Sequence, residues 1–77
     1  MKNEIFITKD FYLACFLKTK KINLVKTIKN QKLVNFYFEK EEGLDKIIND
    51  FYSSTETVKA IEFVNSIRDL KALIHNI

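Results

Sequence analysis

The sequence predicts a small α+β domain in the order helix, strand, strand, helix, helix. Three observations predict it. Residues 11–17, F-Y-L-A-C-F-L, are apolar or aromatic without a break and follow a helix-start signal. Residues 33–38, L-V-N-F-Y-F, alternate between two faces with the period of a strand. Further on, apolar residues recur at helical spacing in two separate stretches, one from Leu44 and one from Ala60.

The first helix starts from Thr8, whose hydroxyl can accept from a free amide of the first turn. Asp10 suits the positive end of the helix dipole. Lys18, Lys20 and Lys21 suit the negative end, near residues 19–21. A helix apolar all round has no solvated face, so the rest of the chain must cover it on several sides. The run is far short of the roughly 20 apolar residues that cross a bilayer, and no membrane partner is expected. Ile5, Phe6 and Ile7 form either a brief strand or a hydrophobic staple beside the helix start.

Residues 22–29 read as a strand from their β-branched content, although their alternation is imperfect. Asn30 and Gln31 then make a tight hairpin turn, since Asn tolerates positive φ. In the second strand Val34, Phe36 and Phe38 point one way, and Leu33, Asn35 and Tyr37 the other. The charged run 39–42 opens a second helix, in which Leu44, Ile47, Ile48 and Phe51 follow at i, i+3, i+4 and i+7. It ends near Tyr52, before a polar loop of Ser53, Ser54, Thr55 and Glu56. A third helix spans residues 58–75 with Ala60, Phe63, Val64, Ile67, Leu70 and Ile74 on one stripe. An isolated hairpin is marginal in water, and its free edges invite pairing. The expected assembly is a homodimer that joins two hairpins into a four-stranded sheet.

A chain of 77 residues is one domain, and at this size only about 60% of the unfolded surface is buried. A single cysteine and no zinc-ligand spacing rule out a disulfide or zinc staple. No proline and one glycine, Gly43, argue against long linkers. No export signal is visible, so a reducing, cytoplasmic setting is expected: the host cytoplasm, if the protein is viral. Net charge is +3 but uneven. Residues 1–34 hold eight lysines against two acids, and residues 35–77 hold five basic residues against eight acids. Such asymmetry suits a polyanion partner, and equally a self-complementary dimer.

The strings T-K-D-F-Y-L-A-C-F-L, F-Y-F-E, D-F-Y and S-I-R-D-L-K resemble a small domain family of unknown function found in phages and bacteria. The resemblance runs from Thr8 to about Ile74 and is carried by core residues with Thr8, Asp10, Arg68 and Lys71. It departs at Lys20-Lys21, where a glycine is expected after the first helix, and at Ser53-Ser54. It implies a fold and a mobile-element origin, and no activity.

No catalytic constellation stands out. His75 lies near the end of the chain with no nucleophile beside it, and Cys15 sits in the apolar helix as an inert thiol. One glycine permits no phosphate loop. Glu39, Glu41, Glu42 and Asp45 can hold a cation only if a shaped loop accompanies them, and none does. No cofactor or metal is expected, and the protein is not expected to be an enzyme. Phe36-Tyr37-Phe38 matches base-stacking strands only loosely, with Tyr37 its accessible member. The functional lead is Lys18, Lys20 and Lys21 with Lys26, Lys29 and Lys32, which form one phosphate-binding surface if the hairpin folds back beside the helix end. The expected partner is nucleic acid, bound without base reading. The alternative is a module or inhibitor acting on a host protein, suggested by mixed charge and by an apolar content of 47% in so short a chain.

Overall fold

The computed structural model describes residues 4–54 and 57–76. Thr55 and Glu56 of the expected polar loop lie outside the described residues. The elements are β1 (Ile5–Thr8), α1 (Phe11–Thr19), β2 (Leu24–Asn30), β3 (Leu33–Glu39), α2 (Leu44–Ser53) and α3 (Ala60–His75). The sheet is antiparallel in the order β1-β3-β2. The α+β class and the five anticipated elements are present, and the apolar lead 5–7 is a strand rather than a staple. Its pairing with β3 gives the hairpin a third strand from its own chain. A dimer that continued the sheet would therefore join two three-stranded sheets through β1 or β2.

The start of α1 differs from expectation. Asp10 is the cap: its Oδ1 accepts from the amides of Tyr12 and Leu13 at 3.1 Å each. Thr8 belongs to β1, where it pairs with Phe36, and its Oγ1 accepts from the Asp10 amide at 3.0 Å. β1 runs through Thr8 and the helix begins only at Phe11, so the residue in the capping position is Asp10, two residues on. Residues 13–17 of α1 are all buried, as an all-apolar helix requires. Phe11 packs on Phe36 of the sheet, with ring centroids 6.3 Å apart, and Phe16 on Phe51 of α2, 5.0 Å apart. Thr19 meets Ser66 of α3. Leu44 and Leu70 bring the other two helices into the same core.

α1 ends in a tight turn in which Lys21 takes φ 70°. That is the left-handed region glycine enters without cost, and it falls where the family resemblance leads one to expect a glycine. The imperfect alternation of the first hairpin strand has a structural cause. Leu24 pairs with Phe38 and Lys26 with Tyr37, so Val25 is the extra residue of a β-bulge. The hairpin turn is Gln31-Lys32, one residue later than expected, because Asn30 still pairs with Leu33; Gln31 carries the positive φ of 60°. The acidic run does not open α2. Glu39 ends β3, the chain turns through 40–42, and Gly43 caps the helix at φ 87°. Only Asp45 lies in the first turn. α3 begins at Ala60 rather than Val58. Its inner face is Phe63, Ser66, Ile67, Leu70 and Ile74, while Ala60 and Val64 turn outward.

Candidate interaction surfaces

Register decides which strand residues face the helices. Phe6 opposite Phe38 and Thr27 opposite Phe36 share the inner face, and Phe36 and Phe38 are fully buried there. Ile5 opposite Glu39, Ile7 opposite Tyr37 and Ile28 opposite Asn35 share the outer face. The helices cover the inner face only. Outward positions of a half-covered sheet are normally polar. Here Ile5, Ile7, Ile28 and Leu33 are exposed by 43%, 49%, 40% and 56%, and Tyr37 is half-buried on the same face. Lys26 lies over the Tyr37 ring, 4.9 Å from its centroid. Contiguous exposed apolar residues rimmed by polar ones mark an interaction site more often than chance. The sequence held this signal in I-F-I before the first helix: with Phe6 inward, both isoleucines must face out.

The six lysines do not form one group. α1 and the hairpin lie so that the end of α1 meets the start of β2: the Ile22 amide donates to the Leu17 carbonyl, and the Glu39 amide to the Asn23 carbonyl. The hairpin tip lies instead beside the start of α1, where Phe11 reaches Phe36. A seven-residue strand separates the two ends by roughly 23 Å. Lys18, Lys20 and Lys21 sit at one end. Lys18 Nζ is 3.8 Å from Asp69 Oδ2, Lys20 Nζ is 5.6 Å from the Phe16 ring centroid, and Lys18 and Lys21 line a polar hollow with Glu62 and Asp69. Lys29 and Lys32 sit at the tip, and Lys26 lies on the outer face between. The tip also gains Lys9, which sequence reasoning passed over. Lys9, Lys29 and Lys32 have no acid within 4 Å among the described residues.

Lys9 and Lys32 border a cleft of about 310 Å³ lined by Phe11, Leu33, Val34, Phe36 and Ile74. It opens where the hairpin tip, the start of α1 and the end of α3 converge. Only Ile74 of these apolar residues comes from outside the first 36 positions, so no local pattern in the sequence announces the cleft.

The candidate nucleophile is placed for packing. Cys15 is buried, and burial pushes its thiol up to about 11; Lys71 opposes that shift and Asp10 adds to it. His75 is exposed in the last turn of α3. Among the described residues no three His, Cys, Asp or Glu side chains gather as a metal site, and no helix is long and apolar enough to cross a membrane.

A family model described as a domain of unknown function, DUF5659, matches residues 3–76. No curated protein sequence and no solved structure matches the chain.

Proposed function

Because the chain belongs to the DUF5659 family, a domain of unknown function, we propose from its geometry that it is a non-catalytic module that binds a partner protein through the open face of its sheet. One observation carries this reading: Ile5, Ile7 and Ile28 flank Tyr37, and Leu33 stands further along β3, on a face that no helix covers. Each square ångström of such surface removed from water contributes about 25 cal/mol, and Tyr37 adds a rigid aromatic anchor with a polar tip. The test is differential capture from cells that naturally make the protein. Proteins retained by the wild type are expected to be lost with Ile7→Asp and with Ile28→Asp, while far-UV circular dichroism stays unchanged. Equal retention by all three chains sinks the reading.

A second reading keeps nucleic acid as the partner, and the cations at the tip favour it. Lys9, Lys29 and Lys32 gather at one end of the sheet with no acid within 4 Å among the described residues. Three phosphate contacts would make affinity fall roughly 40-fold between about 50 and 200 mM salt. No retention on DNA or RNA at the lower salt rejects it.

A further inference from the structure

We propose that the cleft at the hairpin tip takes an apolar side chain from an acidic peptide segment of the partner, whose carboxylates meet Lys9 and Lys32. This rests on the reading that the partner is a protein and names the chemistry of the segment it presents.

Three features of the cleft select that chemistry. The lining between the two lysines is apolar, from Phe11, Val34, Phe36 and Ile74. At about 310 Å³ it stands at the lower bound of ligand pockets, so it suits a side chain or two better than a cofactor. The rim is cationic, and neither Lys9 nor Lys32 is neutralised by a described acid within 4 Å. An apolar anchor flanked by negative charge complements both parts at once.

The rings in the cleft do not suit a nucleic acid. Phe36 is 1% exposed, and the Phe11 ring is held edge-on to Tyr12 at 5.3 Å and against Phe36 at 6.3 Å. Base stacking needs a free ring face. A bare phosphate would gain from the lysines but would leave the apolar floor unfilled.

The cleft is also continuous with the proposed interface. Leu33 lines the cleft and belongs to the outer face of the sheet by its pairing with Asn30. Strand spacing and rise make a three-stranded face roughly 300 Å² in projection. A standard interface buries about 800 Å² on each partner, so a bound protein must extend past the sheet. The cleft lies at its end.

The experiment is an amide NMR titration of the whole isotope-labelled chain with a capped synthetic peptide Glu-Asp-Leu-Phe-Asp-Glu. Saturating shifts are expected at Phe11, Leu33, Val34 and Ile74. Lys9→Glu with Lys32→Glu should weaken binding roughly tenfold, and Lys29→Glu much less. Both substituted side chains are exposed, so the fold survives. Several outcomes overturn the proposal: no shifts, shifts centred elsewhere, equal binding of a peptide with lysine in place of each acid, or tighter binding of oligothymidylate at the same amides. Shifts that grow with protein concentration alone would assign the cleft to a second copy and also overturn it. If the peptide fails while Ile7→Asp still abolishes partner capture, the cleft assignment falls and the reading of the sheet face stands.

Discussion

Tyr52 donates a 2.7 Å hydrogen bond to Asp10 Oδ2, while Oδ1 of the same carboxylate caps α1. One acid therefore closes the central helix and ties the end of α2 to its start. Asp10→Ala should cost about 1–2 kcal/mol, because the cap is lost together with the tyrosine's acceptor. Tyr52→Phe removes only the exposed bond and should cost well under about 1 kcal/mol. Urea denaturation measures both. The hydrogen bond to Asp10 holds the Tyr52 phenol above its usual pKa of 10.0. The folded state thus favours the protonated phenol. That contribution is whole below the unfolded value and disappears as pH climbs through the folded one. Tyr52→Phe should show a shallower alkaline loss of stability than the wild type.

Thr19 and Ser66 form the buried polar contact between α1 and α3. Thr19 Oγ1 lies 2.8 Å from the Cys15 carbonyl and 2.8 Å from Ser66 Oγ. Thr19 has one hydroxyl proton, so Ser66 supplies the other bond. Thr19→Val strands the Ser66 hydroxyl in the core and should cost about 1–3 kcal/mol. Adding Ser66→Ala removes the stranded group as well. The double variant should be less destabilised than the sum of the singles, and additive losses in denaturant melts would show that the two hydroxyls act independently.

What the sequence revealed and what it hid divide along physical lines. The core of α1 and the inner positions Phe36 and Phe38 were legible because burial there is set by local pattern, a continuous apolar run and a period of two. Leu44 and Leu70 followed in the same way. The cap at Asp10 was hidden because β1 competes for Thr8, and that strand pairs with residues about thirty positions away. Ser66 reads as a polar interruption until Thr19 is brought against it. The lysines illustrate the same limit. Their number was plain, but which end of the sheet each occupies depends on how α1 lies against the hairpin.

Lys21 offers a stabilising substitution. Its φ of 70° costs an L-residue roughly 1–2 kcal/mol and costs glycine nothing, while glycine pays more entropy on folding. The balance predicts that Lys21→Gly raises stability by about 0.5–1 kcal/mol, read as a higher urea midpoint with an unchanged slope. A lower midpoint would mean that the side chain makes a contact worth more than the backbone strain.

Cys15 reports on the integrity of the whole core. Its thiol lies at 0% exposure, and burial lifts its pKa from 9.0 to about 11. The thiolate is the nucleophile, and near pH 8 the folded chain holds roughly a hundredfold less of it than the unfolded chain. Alkylation by iodoacetamide should therefore follow the unfolded population and accelerate with urea in step with the denaturation curve. Rapid alkylation without denaturant would contradict the enclosure of α1. The same shift sets a pH dependence. Above pH 9 the unfolded state releases this proton while the folded state keeps it, so stability is whole below 9 and declines up to about 11. The slope is at most about 1.4 kcal/mol per pH unit. Tyr52 titrates nearby, so the comparison belongs in the Tyr52→Phe background. There, Cys15→Ala should cost about 1 kcal/mol at neutral pH for the atom removed, and its alkaline decline should be flatter. Parallel declines with and without the thiol would show that Cys15 keeps an ordinary pKa in the fold.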